Sequence, residues 1–239
     1  VVDAHLALLQ ERLHALEERI RAACERAGRR REEVTLVAVT KTVSVAVAAL
    51  LPQLGQVHLG ESRPQELWRK AAALPSLHWH LVGHLQRNKI ERTLPRVHLL
   101  HSVDSVRLLH TLESEAKTTQ RKIEALLEVN ASCEASKQGF APAEVSALAV
   151  QIAGLKWVHI RGLMTMAAYE EDPERTRPTF TALRSMRDQL RTELGANYAL
   201  DALSMGMTND FEIAIEEGAT LVRIGTALFE GLEQGKTLP

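Results

Sequence analysis

The sequence predicts a single-domain α/β protein, a (β/α)8 barrel preceded by one extra helix. Three observations carry that prediction. Eight short apolar runs, rich in β-branched residues, alternate with helical segments, as strands buried on both faces of a parallel sheet require. The chain has 239 residues, close to the roughly 250 typical of such a barrel. No Pro/Gly/Ser-rich linker, repeat or low-complexity tract interrupts the alternation, so residues 1–239 read as one domain, with the extra helix in 1–28 and the barrel in 34–231. An open doubly wound sheet is the rival, because it uses the same alternation.

Leu6, Leu9, Leu13, Leu16, Ile20, Ala23 and Ala27 step by three and four, which is one face of an amphipathic helix ending at Gly28. That stripe must cover either the barrel or a second subunit. Arg29, Arg30 and Arg31 beside Glu32 and Glu33 read as a solvated connection rather than an anion site. The first strand, 34–40, runs into Lys41, and 43–54 reads as a helix. Strand two is 56–60, after which Ser62 is placed to cap a helix to residue 73, with Pro64 in its first turn. Strand three is 77–82, a short helix covers 86–94, and strand four is 97–101. Residues 102–105 offer caps for a helix to 119, and strand five is 123–129. Pro142 opens a helix to 153, strand six is 158–163, and a long helix runs over 173–194. Strand seven is 199–204, a helix covers 210–217, strand eight is 220–224, and a closing helix starts near 227.

Composition narrows the function classes. A formal charge of −1 gives no electrostatic case for nucleic acid or an anionic membrane surface. No apolar run approaches the roughly 20 residues that span a bilayer, and the charged N-terminal segment resembles no secretory signal. Cys24 and Cys133 lie far apart with no metal-ligand spacing around them. The expectation is a cytoplasmic protein in a reducing compartment.

In a barrel, the carboxyl ends of the strands share the functional face. There the sequence places Lys41, Glu61, His84, Asp104, Asn130, Thr165, the run Ser204-Met205-Gly206-Met207-Thr208, and Gly225-Thr226. The amino ends read as ordinary turns. A lysine at a strand end, partly desolvated, is a nucleophile toward an aldehyde, although a solvated lysine closing a strand accounts for the position alone. The loops after strands seven and eight are where barrels hold phosphate, and Ser204, Gly206, Thr208, Gly225 and Thr226 supply hydroxyls, amides and close backbone approach there. Arg223 sits inside strand eight, facing opposite to Val222 and Ile224. It needs an acceptor, either an acid such as Glu61 or Asp201 or a ligand ring or carboxylate. His78 and His80 alternate on strand three, but no third ligand stands at a fixed spacing, so no metal site is assigned. Cys133 has no base beside it, and no P-loop, dinucleotide GxGxxG or Ser/His/Asp order is present.

These motifs resemble one family. They are Ala38-Val39-Thr40-Lys41-Thr42, His58-Leu59-Gly60-Glu61, Trp79 through Lys89, Ser102-Val103-Asp104-Ser105, Val129-Asn130-Ala131-Ser132 with Ser136-Lys137-Gln138-Gly139, Arg161 through Met166, Leu203 through Thr208, and Val222 through Thr226. Together they are similar to the pyridoxal phosphate homeostasis proteins, from about Val34 to Gly231. The resemblance implies a barrel like the N-terminal domain of alanine racemase, a fold type III architecture, holding pyridoxal 5′-phosphate (PLP). It implies that Lys41 forms the internal aldimine. Ser204, Gly206, Met207, Thr208, Gly225 and Thr226 would form the phosphate cup, and Arg223 would face the pyridine nitrogen. An arginine there weakens the cofactor as an electron sink. One departure stands out: Ser62-Arg63 occupies the place where the family often carries Asn-Tyr.

A racemase needs a second base, which in alanine racemase is a tyrosine from a separate β domain. Here only Tyr169 and Tyr198 are present, neither in such a context. The expectation is therefore reversible PLP binding in vitamin B6 homeostasis, with effects on amino-acid balance, as a monomer or homodimer. PLP-dependent apo-enzymes are the recipients the resemblance suggests. The alternatives are a weak PLP racemase or lyase, a Schiff-base aldolase of phosphorylated sugars, and an interaction scaffold with a vestigial site.

Overall fold

A computed structural model of the chain describes residues 2–134 and 137–232. Eight parallel strands close into a barrel in sequential order. They are β1 (Thr35–Val39), β2 (His58–Glu61), β3 (His78–Leu81), β4 (Leu99–Val103), β5 (Ile123–Glu128), β6 (Val158–Met164), β7 (Ala202–Ser204) and β8 (Leu221–Ile224). Strand alternation divides each run between lumen and helix layer. Val37, Leu99, Leu126, Met164 and Leu221 pack together as a plug in the lumen, apart from the main core that faces the helices. At Gly162 the β5/β6 register shifts. This glycine has φ +154, and a Cβ there would lie 1.8 Å from the Ala202 carbonyl oxygen. Only glycine fits this crossing, which carries the lumen-facing set from Arg161 to Met164.

The helices are α1 (Val2–Arg26), α2 (Val45–Ala48), α3 (Pro64–Ala73), α4 (Ile90–Thr93), α5 (Val106–Thr118), α6 (Leu148–Ala153), α7 (Arg177–Leu194), α8 (Phe211–Glu216) and α9 (Thr226–Phe229). α1 packs on its own barrel. Its Leu9, Leu16, Ile20 and Ala23 are buried, Arg12 donates to the Leu228 carbonyl, and Arg19 and Arg26 pair with Glu212 and Glu216. Within the triple arginine, Arg30 is exposed as expected, but Arg29 and Arg31 are less solvated. Arg29 donates to the carbonyls of Ile215 and Ala219 at 2.8 Å, and Arg31 makes two bonds of 2.8 Å to Glu17.

Several boundaries differ from the sequence reading. The helix expected over 43–54 is split into α2 and a 3-10 turn containing Pro52, and those expected from 86 and from 142 also begin as 3-10 turns. Ser62 caps nothing; Arg63 occupies the N-cap of α3. β4 runs two residues beyond its expected end, so Ser102 lies inside it, and Ser105 caps α5 by accepting from Leu108 N–H. β7 is shorter than 199–204 because Leu200 adopts φ +44, outside strand geometry. The amino ends of the strands are not ordinary turns either, since His58, His98, Glu124, Arg161 and Asp201 line a cavity there of about 450 Å³.

Candidate functional site at the carboxyl mouth

Lys41 lies two residues beyond β1 and is exposed. It shares alternation with the lumen residues Val37 and Val39. Its amine makes no hydrogen bond or ion pair with the described residues. Behind it, on the helix-layer side, a buried clamp holds the strand end. Lys70 Nζ donates to the Thr40 carbonyl at 2.6 Å and to Glu61 Oε1 at 2.5 Å. Thr40 Oγ1 donates to the same carboxylate oxygen at 2.6 Å. Glu61 is therefore a structural anion under the backbone that presents Lys41, not a group at the mouth and not the partner of Arg223.

The loops after β7 and β8 meet where Ala227 N–H donates to Thr208 Oγ1 at 3.3 Å. Gly206 has φ +90, and a Cβ there would lie 2.6 Å from Ala214 Cβ, so the loop hugs α8 as only glycine allows. Met207 N–H is already donated to Asp210 Oδ1 at 2.6 Å. The amides of Thr208, Asn209, Gly225 and Thr226 have no acceptor among the described residues. Such amides, gathered on two neighbouring loops, are the donors with which a backbone concavity can hold an anion. Its place is beside Lys41, because Ala38 pairs with Ile224 and a Cβ on Gly225 would lie 3.3 Å from the Val39 carbonyl oxygen.

Ser204 does not line this cup. As the last residue of β7 on the lumen side it is fully buried beneath it, accepting from Arg223 at 2.5 Å and meeting His101 Nδ1 at 2.8 Å. Arg223 also donates to the Thr165 carbonyl at 2.9 Å. Its partners are neutral, so neither acid expected from sequence holds it; Asp201 instead pairs with Arg161. Burial lowers the Arg223 pKa to about 10, against the opposing pull of Asp210 and Glu128. The guanidinium remains a cation at neutral pH. Below it a chain of imidazoles crosses the lumen, with His101 Nε2 2.9 Å from His80 Nδ1 and His80 Nε2 3.0 Å from His58 Nδ1. Burial, with Arg223 adding for His101, holds His80 and His101 well below the ordinary imidazole range.

Three residues here went unread from sequence: Glu128, His101 and Lys70. Glu128 is buried at the end of β5, and its pKa is raised to about 7 by burial and by Asp104, against Arg223 and His84. Its lumen parity with Leu126 was the signal available. Asp104 meets His84 Nδ1 at 2.8 Å and accepts from Ser105 at 3.1 Å. Lys137 is not a free amine, since it pairs with Glu134 at 2.6 Å and donates to Ser132 and to the Met166 carbonyl. Ser136 of the same motif lies outside the described residues. Tyr169 is exposed, Tyr198 packs against the core, and the thiol of Cys133 is exposed and unpaired.

The chain matches the model of the alanine racemase N-terminal domain over residues 12–233. It is 43% identical over 221 residues to the pyridoxal phosphate homeostasis protein of Aquifex aeolicus, covering 92% of this chain and 96% of that one. A solved structure from Bifidobacterium adolescentis superposes with a TM-score of 0.90 at 37% identity, over 95% of this chain and 96% of that one. The PipY structure of Synechococcus elongatus with PLP bound superposes with a TM-score of 0.81 at 33% identity, over 92% of this chain and 99% of its own. Agreement of this extent, over the whole barrel and both cup loops, places the chain in the pyridoxal phosphate homeostasis protein family, within the alanine racemase N-terminal fold.

Proposed function

We propose that this chain binds pyridoxal 5′-phosphate at the carboxyl mouth and serves the homeostasis of that cofactor. The observation that carries the reading is the set of four acceptor-less amides, on Thr208, Asn209, Gly225 and Thr226, placed beside Lys41. When bound, the cofactor supplies an aldehyde that condenses reversibly with amines. Lys41 would offer the amine, the amides and the Thr208 hydroxyl would hold the phosphate, and Arg223 would stand toward the ring nitrogen as a cation that discourages its protonation. Gly206 and Gly225 keep the backbone open to the phosphate. Met207 contributes position only, because its amide serves Asp210. Ser204 acts through Arg223 and not on the phosphate.

The closed barrel and the packing of α1 on it support a single domain over 1–239. The unpaired Cys24 and Cys133 support a reducing, cytoplasmic compartment. Among the described residues no helix is long and apolar enough to cross a membrane. Recipients of the cofactor are apo-enzymes that depend on it. The test is the absorbance of the purified chain before and after borohydride, with peptide mass mapping. A stable adduct on Lys41 is expected; a chain that takes up no PLP when it is supplied refutes the reading.

A second reading, a PLP enzyme with weak racemase or lyase activity, is favoured by one observation. Glu128 is a carboxyl poised near neutrality within reach of the field of Arg223, as a general acid or base must be. Exchange of the amino-acid Cα proton in D2O, lost in Glu128→Gln while PLP binding persists, would support it.

A further inference from the structure

At the amino mouth, three neighbouring strands bring three histidines to one rim. His58 opens β2 and pairs with His78, which opens β3. His98 immediately precedes β4, anchored by its own N–H to the Trp79 carbonyl at 2.7 Å. One side-chain nitrogen from each of the three lies within 4.8 Å of the others. His78 Nδ1 and His98 Nδ1 are 3.3 Å apart, and the rings of His58 and His78 stack with centroids 4.7 Å apart. Sequence spacing hid this cluster because its members are contributed by register, not by interval.

We propose that His58, His78 and His98 form a binding site for a divalent transition-metal ion of the zinc type. Imidazole nitrogens sit about 2.0–2.1 Å from zinc, which puts tetrahedral neighbours about 3.3–3.4 Å apart. The His78–His98 pair already has that separation. A hydrogen bond between two imidazoles explains that pair alone, but not a third ring converging on it. His78 and His98 are exposed, so side-chain motion can close the wider spacing to His58. The fourth position opens on the amino-mouth cavity, which His58 and His98 line. The nearby cation Arg161 is neutralised by Glu124 and Asp201, so it does not repel the ion. Zinc, cobalt, nickel and copper all suit such a nitrogen set.

The site has a second shell. His58 Nδ1 is engaged by His80, leaving Nε2 for the metal. Ligating histidines donate their other N–H to such a partner. That assignment sets a direction for the whole chain: His58 Nδ1–H donates to His80 Nε2, His80 Nδ1–H to His101 Nε2, and His101 Nδ1–H to Ser204 Oγ. The opposite direction leaves a proton on His58 Nε2, where it blocks the metal. Metal at one mouth therefore selects the tautomers that run through the barrel to the residue holding Arg223.

The test uses the full chain, stripped with a chelator that is then removed. Titration with Zn2+ by calorimetry should show one equivalent, and Co2+ should give the intense visible bands of a four-coordinate site. His78→Ala and His98→Ala should each weaken binding at least tenfold, with circular dichroism unchanged because both side chains are exposed. His110→Ala, an exposed histidine on α5, should bind as the parent does. With 15N-labelled histidine, Zn2+ should drive His80 and His101 to the Nδ1–H tautomer. Absence of stoichiometric uptake, or equal uptake by the parent and both rim variants (an adventitious ion only), overturns the site. Binding with the His80 and His101 nitrogen shifts unmoved overturns the assignment of His58 Nε2 as a ligand.

Discussion

Replacing Lys70 by methionine removes the only cation among the described residues that touches Glu61. The two side chains are 1% and 0% exposed and 2.5 Å apart. In Lys70→Met the carboxylate keeps a single partner, the Thr40 hydroxyl, while its Oε2 already has none. Removing one member of a buried pair costs about 3–5 kcal/mol, because the other charge stays in the low-dielectric interior. For a domain of this size, 1 kcal/mol moves Tm by about 2–4 °C, so the expected loss is roughly 6–20 °C. Removing both charges in Lys70→Met/Glu61→Leu should restore the chain to within about 1–2 kcal/mol of the parent, since a packed apolar pair of similar volume often equals an ion pair. Urea unfolding with a double-mutant cycle measures the coupling directly. Less than about 1 kcal/mol lost in the single variant, or no recovery in the double, would refute the clamp. A further consequence concerns Lys41: with the Thr40 carbonyl released, borohydride trapping on Lys41 should slow in Lys70→Met even where the protein is fully folded.

Lys41→Ala should abolish the borohydride-stable adduct yet retain PLP noncovalently, because the cup amides are untouched; equilibrium dialysis that finds no residual binding would contradict the cup assignment. Gly206→Ala places a Cβ 2.6 Å from Ala214 Cβ at φ +90, and should cost about 1–3 kcal/mol of stability and weaken inorganic phosphate binding together; a variant as stable as the parent would remove the close-approach argument. Glu128 predicts a pH dependence. Its folded pKa, about 7, exceeds the ordinary 4.5, so the folded state holds the proton more tightly than the unfolded chain. Its contribution is fully present below about 4.5 and lost as pH rises through about 7, a change on the order of 3 kcal/mol at 1.36 kcal/mol per unit. Glu128→Gln should flatten that slope in denaturation curves taken between pH 4.5 and 8, and an unchanged slope would assign the titration elsewhere.

The strands were legible because apolar β-branched runs such as Thr35–Val39 and Leu221–Ile224 have no other stable use in a chain this charged. Helix interiors were less so. Pro52 and Pro142 each fall within a 3-10 turn where a continuous helix was expected, since proline removes a donor and fixes φ without stating which helix type follows. Lys41, Gly206 and Gly225 could be read from position in the repeat. The partners of Arg223 could not: Ser204 is 19 residues away, Thr165 is 58, and His101 meets Ser204 across 103. Those contacts depend on barrel register and closure, which alternation within one strand does not encode. The histidine rim was hidden for the same reason.

The lumen shows why holding a cofactor and transforming it are separated here by so little. Arg223 stays cationic at neutral pH while donating to a hydroxyl and a carbonyl, so its own hydrogen bonds bring no carboxylic acid to that position. Beneath Ser204, the histidine chain is held neutral by burial and conducts hydrogen-bond direction more readily than charge. Around the mouth, Asp104 is bound by His84 and Ser105, and Asp210 by the Met207 amide. Glu128 alone among these acids makes no side-chain hydrogen bond with the described residues, and burial raises its pKa to about 7. Below that pH it is a neutral donor near Arg223; above it, a base opposed by Asp104. Cofactor binding by the proposed amide cup and Lys41 does not call on this carboxyl. Proton transfer at a bound amino acid, in the second reading proposed above, calls on it, so the two readings of this protein part at this residue.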